Sequence, residues 1–190
     1  MSYTDQTAIQ AFLARDLTSV EVTMLPMLIA AVTSYLDGEL SGSYGTATPS
    51  TRYYDGGSRI INIQPVQNVT AVSAVGSDES LSSTYELDGD FELRPRNATT
   101  KRWIHSRTGK FPSGVANIAV TGEFTLGATV PDDVKYLATY LAGRLMDRAT
   151  VTGLKSESIE GYSRTFGEIT QENPVISMLL AAYTQGNVLL

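Results

Sequence analysis

Two short stretches in the middle of the chain carry the residue types that chemistry would need. The single histidine, His105, lies in the sequence WIHSR, and the carboxylates Asp88, Asp90 and Glu92 lie in DGDFE. A histidine can act as a general base when a serine and a carboxylate are aligned with it, but no G-x-S-x-G turn accompanies this one. We therefore predict that His105 occupies a strand or rim position without a catalytic role.

The three carboxylates are predicted to belong to a solvated turn. Their spacing does not fit a calcium-binding EF-hand loop, whereas Asp88-Gly89 is a strong turn signal. One histidine and no cysteine cannot build a zinc site of histidine and cysteine ligands, and no phosphate-binding glycine motif occurs. We expect no catalytic residue, no metal, no cofactor and no enzymatic activity.

Charge is unevenly distributed along the chain. The net charge is −6, yet residues 94–110 contain six basic residues and no acidic one. Such a segment could contact DNA phosphates, with Trp103 stacking on bases. The interpretation we favour is that its charges are solvated on two strands and a loop, where they discourage the pairing of sheet edges or meet an acidic neighbouring subunit. The residues concerned are Arg94, Arg96, Lys101, Arg102, Arg107 and Lys110.

The elements that would position these residues change type along the chain. Residues 1–40 are predicted to be helical, with Thr23 capping a second helix and Pro26 in its first turn. The segment 38–57 is rich in Gly, Ser, Thr and Pro and predicts a long connection. Short β-branched and aromatic segments follow, at 59–63, 69–75, 83–87, 91–94, 102–105 and 115–122. A three-residue hairpin loop is predicted to pair Leu87 with Phe91, and Tyr85 with Leu93.

Two helices are predicted near the carboxyl end. Pro131 followed by Asp132 and Asp133 is typical of a helix start, and the apolar spacing continues to Ala149. The last helix is predicted over 174–185, with Asn173 as its N-cap. The fold class is therefore α+β, with N- and C-terminal helices in a helical bundle and an inserted antiparallel β module. Residues 1–45 and 129–190 form the helical domain in this prediction, and 46–128 form the β-rich module.

Composition limits the classes of protein that fit. Of the 190 residues, 42% are hydrophobic and 18% charged, which is typical of a folded chain. The longest apolar run, 24–32, contains Pro26 and is short of the roughly 18 residues that span a bilayer, so no membrane span is expected. No basic region precedes an apolar stretch at the N-terminus, so no signal peptide is expected.

Two adjoining patterns near the carboxyl end resemble the head-to-tail connector (adaptor, or head-completion) proteins of tailed bacteriophages. The family often carries a P-x-D-[IV]-K-x-A-like helix start, followed by a K-S-E-x-I-x-x-Y-S-like loop. The matching residues here are Pro131, Asp133, Val134, Lys135, Lys155, Ser156, Glu157, Ile159, Tyr162 and Ser163. The β-rich middle of about 75 residues departs from the helix-dominated pattern of the smaller members.

The resemblance implies a structural virion protein of the phage neck. It implies a homo-oligomeric ring, expected to be a dodecamer, which lies under the portal protein and extends the DNA channel toward the tail. Its partners would be further copies of itself, the portal, the next neck, stopper or tail-completion protein, and DNA that passes without sequence specificity. No membrane partner is expected. Subunits would be found in the host cytoplasm before they join the virion.

Two segments are predicted to make the contacts. The polar loop 154–167 lacks any helical or strand period, and we expect it to join subunits through Lys155, Glu157, Ile159, Tyr162, Arg164 and Phe166. Three aliphatic residues, Val188, Leu189 and Leu190, follow the last helix and would either close the protein's own core or dock on a partner. The resemblance implies that this partner is the portal.

One alternative belongs to a different class of protein. The β-rich middle could be a recognition module for glycans or for another virion protein, with Tyr53, Tyr54 and Trp103 as aromatic contacts. A connector should assemble or bind a portal, whereas a glycan module should bind sugar as a small oligomer.

Overall fold

A computed structural model describes residues 1–75, 81–152, 169 and 173–185. The chain divides into two compact units. One unit consists of Met1–Leu40 together with Val130–Leu190, and the other consists of Ser41–Thr129. The first unit is helical and the second contains the β-sheet, so the predicted α+β class is confirmed.

The first helix of the helical unit, α1 (Gln6–Leu13), begins at a side-chain cap. The carboxylate of Asp5 accepts a hydrogen bond from the backbone N–H of Ala8 at 2.9 Å. This bond satisfies one of the N–H groups that a helix start leaves without a partner. Ile9 is fully buried, whereas the edge of Phe12 remains exposed.

The second helix, α2 (Ser19–Glu39), begins earlier than the sequence predicted. Thr18 is its N-cap in a reciprocal capping box, because its hydroxyl accepts from Glu21 N–H and the Glu21 carboxylate accepts from Thr18 N–H at 2.7 Å. The prediction that Thr23 caps the helix is wrong, since the Thr23 hydroxyl donates to a carbonyl one turn earlier within it. Pro26 lies inside the helix instead of in its first turn.

By length and composition, α2 is apolar enough to cross a membrane. An 18-residue window reaches a mean hydropathy of 1.5, and 28% of that window is buried in the protein. The expectation of no span relied on Pro26 interrupting the apolar run, and that reason is wrong because the helix continues through it. Helix α2 also packs against the next helix and buries one stripe, which consists of Glu21, Leu25, Leu28, Val32 and Leu36.

Helix α3 (Asp132–Thr152) lies between its neighbours, because it packs against both α1 and α2. Its start agrees with the sequence prediction to within a residue. The predicted apolar face is buried at every member whose side chain is described, namely Val134, Leu137, Ala138, Leu141 and Leu145. Helix α3 is thus the central core element of the helical unit.

The last described helix, α4 (Pro174–Gln185), is capped as predicted. The Asn173 side chain accepts from the N–H of Val175 at 3.0 Å. Ile176 and Leu180 are buried, while Val175 and Met178 on the other side are half or more exposed. The hydroxyl of Tyr183 donates to a carboxylate oxygen of Asp133, and this bond ties α4 to the start of α3.

The second unit contains one antiparallel sheet. Its strands run in the order β1-β6-β2-β5-β4, and β3 pairs with β2. The long strand β2 is shared, because its first half pairs with β5 and its second half with β6 and β3. The strand bounds are Ser50–Tyr54 (β1), Ile60–Val75 (β2), Leu81–Tyr85 (β3), Phe91–Arg94 (β4), Lys101–Ser106 (β5) and Ile118–Glu123 (β6).

One face of the sheet forms the core of this unit. Core side chains recur at every second residue over parts of the strands, such as Ile61 and Ile63 or Val72 and Ala74 on β2, and register shifts between these parts interrupt the period. Strand β1 was missed by the sequence analysis, because it lies within the segment rich in Gly, Ser, Thr and Pro that predicted a connection. The core consists of Ile61, Ile63, Val66, Val72, Ala74, Phe91, Ile104, Phe111, Ile118, Val120 and Phe124.

The predicted hairpin is only partly correct. Asp88 adopts a left-handed conformation with φ of 63°, so the predicted Asp-Gly turn is present, and Leu87 forms an isolated bridge with Phe91. The pairing of Tyr85 with Leu93 is wrong, however, because Tyr85 pairs with Val72 on β2 and Leu93 pairs with a residue of β5. Strand β3 pairs with β2 and strand β4 pairs with β5, so β3 and β4 do not pair with each other as the sequence predicted.

Candidate functional site

The outer face of the β4–β5 pair gathers the charged residues that the sequence singled out. Phe91 and Leu93 point into the core, so strand alternation places Glu92 on the opposite face. Glu92 stands directly opposite His105 of β5, and the next pair of the same face is Arg94 with Trp103. The sequence therefore brings an acid, a base and an arginine onto one side of two neighbouring strands.

Glu92 is the centre of this arrangement, which we call the Glu92 cluster and define as Glu92, Arg94, Arg96, His105 and Arg107. The Nε atom of Arg94 donates to Oε1 of Glu92 at 2.8 Å, and that of Arg96 donates to Oε2 at 3.1 Å. His105 Nδ1 lies 2.9 Å from Oε1, and Arg107 Nη2 lies 3.6 Å from Oε2. Both carboxylate oxygens are thus occupied by cationic or imidazole nitrogen atoms.

These contacts determine the protonation state of the carboxyl group. Hydrogen bonds from Arg96 and Arg94 lower the pKa of Glu92 to about 2, because they stabilise the charged form more than burial destabilises it. The same bond with Glu92 raises the pKa of the Arg96 guanidinium. At neutral pH the cluster therefore holds a carboxylate that accepts hydrogen bonds and cannot act as a proton donor.

The cluster corrects the interpretation of DGDFE as a solvated turn. Asp88 and Asp90 are in the turn, but the Glu92 side chain is only 5% exposed and lies beneath the guanidinium groups. Sequence reasoning missed Glu92 and His105 as partners. The period of two residues in FELR, which puts Glu92 and Arg94 on one face, was the signal that could have found them.

The other basic residues of segment 94–110 do not join the cluster. Lys101 Nζ donates to the backbone carbonyls of Pro95, Arg96 and Ala98, at 3.1, 3.0 and 2.6 Å. Arg102 is half-buried, and that burial lowers its pKa. Lys110 is exposed. Most basic side chains of this segment therefore make contacts within the protein, and they do not form a uniform basic patch.

The cluster's chemistry is that of an ion-pair network. The imidazole of His105 is part of this network through its hydrogen bond to Glu92. No group of three His, Cys, Asp or Glu side chains with metal-binding geometry occurs in the described ranges. What the arrangement can do is hold three partly exposed guanidinium groups in fixed positions.

The aromatic residues of the alternative recognition site do not form a common surface. Tyr53 and Tyr54 are neighbours on β1, so their side chains point to opposite faces. Tyr53 is exposed, whereas Tyr54 packs against the core and its hydroxyl accepts from the N–H of Gln64 at 3.2 Å. Trp103 lies on β5, which is separated from β1 by the strands β6 and β2.

The remaining predicted site residues lie outside the described part of the chain. These are the loop residues Lys155, Glu157, Ile159, Tyr162, Arg164 and Phe166, and the terminal residues Val188, Leu189 and Leu190. Their predicted contacts therefore stay predictions.

Comparisons with known proteins give a limited result. No protein-family model and no curated protein matches the chain. Among solved structures, a chain of "Neck of empty GTA particle computed with C6 symmetry" is similar at 12% identity and a TM-score of 0.49, over 84% of this chain and 87% of that one. A chain of "Virion of native gene transfer agent (GTA) particle" is similar at 16% identity and a TM-score of 0.44, over 86% and 91%. Identity at this level assigns no function, which has to be argued from the residues.

Proposed function

We propose that this protein is a structural component of a phage neck, a head-to-tail connector that forms a ring under the portal and extends the DNA channel toward the tail. The observation that carries the proposal is the position of the family-like motif. Its first part, Pro131 to Lys135, begins α3, the helix against which α1 and α2 both pack. Connector proteins of this kind act by assembly and perform no reaction.

The contacts of the motif residues in the helical unit explain why these residue types occur there. Val134 is fully buried, so its side chain begins the apolar face of α3. In the first turn of the helix, the Asp133 carboxylate accepts hydrogen bonds from the N–H of Val134 at 2.9 Å and from the hydroxyl of Tyr183 on α4. Lys135 pairs with Asp132 at 2.8 Å. The motif thus connects the two helices between which the polar loop runs.

The outer side of α4 supports docking on another protein. Val175 and Met178 are 50% and 66% exposed although Ile176 and Leu180 of the same helix are buried. A helix with apolar residues on both sides has a second surface to bury. In this proposal the outer side of α4, with the three terminal aliphatic residues, binds the portal, while the loop 154–167 joins neighbouring subunits.

The Glu92 cluster supports loose contact with DNA. Three of the six basic residues of segment 94–110 share one carboxylate, and Lys101 is occupied by backbone carbonyls. Fewer cations remain to neutralise phosphates, so binding by the free protein should be weak. Weak, sequence-independent contact is what a channel requires if DNA is to slide through it.

Negative-stain imaging of the purified protein, with and without its portal, tests the proposal. Rings that add to the portal are the expected result, and a protein that neither assembles nor binds the portal would contradict it. A variant lacking residues 187–190 should remain folded with nearly unchanged stability but no longer join portals. A loss of several kcal/mol in its free energy of unfolding would instead place those residues in the protein's own core.

A second variant separates subunit contacts from portal contacts. Replacing Tyr162 and Phe166 by alanine should weaken ring formation while leaving the melting temperature little changed, if the loop joins subunits. A collapse in melting temperature would show that the loop belongs to the core. Filter binding at several salt concentrations tests the DNA contact, for which tight and strongly salt-dependent binding would argue against a sliding channel.

A further inference from the structure

The arginine side chains of the Glu92 cluster have more hydrogen-bond donors than the carboxylate uses. A guanidinium group carries five N–H donors in a planar fork. Arg94 donates to Oε1 of Glu92 through Nε and Nη2, and Arg96 donates to Oε2 through the same two atoms. These bonds fix the planes of both groups and leave the Nη1 atoms, with two N–H groups each, for a further acceptor.

The carboxylate of the cluster is buried, whereas the guanidinium groups are not. The side chain of Glu92 is 5% exposed, while those of Arg94, Arg96 and Arg107 are 45%, 58% and 41% exposed. A molecule that approaches this face of the sheet therefore meets cationic N–H groups, with the compensating negative charge beneath them. Such an arrangement is suited to bind an anion from solution.

Arg96 and Arg107 are close enough to hold one anion between them. Nη2 of Arg107 lies 3.6 Å from Oε2 of Glu92, and Nη2 of Arg96 donates to the same oxygen atom. With an ordinary hydrogen bond of about 2.9 Å on one side, the two Nη2 atoms are no more than about 6.5 Å apart. Guanidinium groups bind phosphate and carboxylate oxygens at about 2.8 Å, so one oxyanion can contact both arginines.

The acids of the adjacent turn limit how strongly this site attracts an anion. The charge of Asp88 acts on Arg96, and Asp90 accepts a backbone N–H within the turn at 3.0 Å. Binding at the cluster therefore depends on the fixed positions of the donors as well as on charge. We propose that the outer side of the Glu92 cluster binds one phosphate group per subunit through Arg96 and Arg107. The inference rests on the proposed function, in which DNA in the channel supplies the phosphate.

A phosphate fits the site better than a carboxylate of a second copy does. Two acids of the helical unit already have cationic partners, since Asp132 pairs with Lys135 at 2.8 Å and Asp147 lies 3.9 Å from Arg15. DNA, in contrast, presents a phosphate at every nucleotide, so one site per subunit meets a phosphate wherever the DNA has moved. A single phosphate contact is also weak, which agrees with DNA that slides.

Arginine modification with phenylglyoxal, read by mass spectrometry, locates the site in the full chain. Inorganic phosphate or a short DNA duplex should slow the modification of Arg96 and Arg107 several-fold, compared with sodium chloride at the same ionic strength. Arg15 is the control, because its side chain is 38% exposed but its guanidinium is paired with the buried Glu21. Protection by inorganic phosphate alone would support the site and assign it to a free phosphate. Modification of Arg96 and Arg107 that neither ligand slows would overturn the proposal.

Two variants of equal charge separate the site from general electrostatic attraction. Arg107→Gln and Lys110→Gln each remove one positive charge, and Lys110 is exposed outside the cluster. At about 50 mM salt, Arg107→Gln should weaken duplex binding about fivefold and reduce the slope of log affinity against log salt by about one. Lys110→Gln should leave both nearly unchanged. Equal losses in the two variants would mean that only total charge matters, and would contradict the proposal.

A third variant keeps the charge and removes the fork. Arg96→Lys retains one positive charge but loses the paired N–H donors, so it should bind the duplex more weakly than the wild type. Wild-type affinity in Arg96→Lys would refute a site that depends on donor geometry. Thermal unfolding of all three variants checks that each remains folded, and Arg107→Gln should be the milder of the two cluster variants because its contact with Glu92 is the longest, at 3.6 Å.

The results also separate this inference from the proposed function. Protection of Arg96 and Arg107 by phosphate in a protein that does not join portals would support the site and contradict the connector role. Rings that bind the portal without such protection would support the connector role and refute the site. Weaker self-association of Arg107→Gln in analytical ultracentrifugation, with no effect of phosphate, would instead assign the cluster to an acidic surface of a second copy and overturn the proposal.

Discussion

Glu92 and His105 stand opposite each other on β4 and β5, with Nδ1 of the imidazole 2.9 Å from Oε1 of the carboxylate. The pair looks like the start of a catalytic relay, yet the carboxylate is also held by Arg94 and Arg96. Each of these neighbours stabilises the charged carboxylate. We therefore expect these contacts of Glu92 to affect the stability of the β unit.

Replacing Glu92 by glutamine should destabilise the β unit in a pH-dependent manner. The folded-state pKa of about 2 is below the ordinary value of 4.5, so the carboxylate stabilises the fold fully above about pH 4.5 and loses that effect as the pH falls toward 2. Urea unfolding of the wild type and Glu92→Gln should therefore differ at pH 7 and converge at low pH. The control Glu86→Gln removes an exposed carboxylate and should change stability by less than about 0.5 kcal/mol. A wild-type-to-variant difference that stays constant with pH would contradict this account.

Replacing Thr18 by alanine should cost about 1 kcal/mol in the free energy of unfolding of the helical unit. The substitution removes the side-chain acceptor of Glu21 N–H and half of the capping box. Thr23→Ala is the matched control, because Thr23 is exposed within the same helix and alanine is the better helix former there. In thermal unfolding, the melting temperature of Thr18→Ala should be below that of the wild type, and that of Thr23→Ala should equal or slightly exceed it. The reverse order would mean that the helix does not begin at Thr18.

The elements predicted correctly are those in which the residues at the element's ends and the pattern of buried apolar residues indicate the same structure. Helix α3 has acidic residues at its start and a regular apolar face, and it folds as expected. Helix α2 was placed too late because the general rule that proline occupies the first turn outweighed the Thr18 and Glu21 capping box. Here burial of the long apolar stripe outweighs the hydrogen bond that Pro26 removes.

The sheet and the candidate site were harder to predict, for a related reason. The Asp-Gly turn at Asp88 was a strong local signal, but the partner of Tyr85 is decided by the distant strand β2. Pairing between strands far apart in sequence leaves no local pattern. The basic residues 94–110 were found by composition, whereas Glu92, which organises three of them, was visible only through the alternation of β4.

Gly143 should tolerate alanine only when Phe12 is shortened. A Cβ atom at Gly143 would overlap Cδ1 of Phe12, so the ring must move. Alanine in place of a helical glycine otherwise favours the helix by about 1 kcal/mol. Gly143→Ala is therefore expected to be neutral or destabilising in the wild type and stabilising in the Phe12→Ala background. A double-mutant cycle in urea measures the coupling, and additivity of the two changes would show that the ring does not rest on this glycine.

Thr125 should be needed for the stability of the β unit because its hydroxyl joins two segments of chain. Its buried Oγ1 lies 2.9 Å from the carbonyl oxygen of Gly45 and 3.1 Å from that of Ser43, and it accepts the N–H of Gly127 at 3.1 Å. Thr125→Val keeps the shape but removes the acceptor of Gly127 N–H and the donor to the nearby carbonyl groups, at a cost of about 0.5 to 1.5 kcal/mol; the Ser43 carbonyl keeps the N–H of Leu126. Thr125→Ser keeps the hydroxyl and should recover most of that loss.

Amide hydrogen exchange distinguishes the loss of this hydroxyl from a general loss of packing. In Thr125→Val the N–H of Gly127 loses its acceptor, so its exchange should accelerate more than that of Gly45, whose N–H donates to the carbonyl of Gly127 at 2.8 Å. Thr125→Ser should restore slow exchange at Gly127. Equal acceleration at both glycines in Thr125→Val would mean that the whole segment opens and not only the bond to the hydroxyl. A serine variant as unstable as the valine variant would mean that the methyl group of Thr125 matters more than its hydrogen bonds.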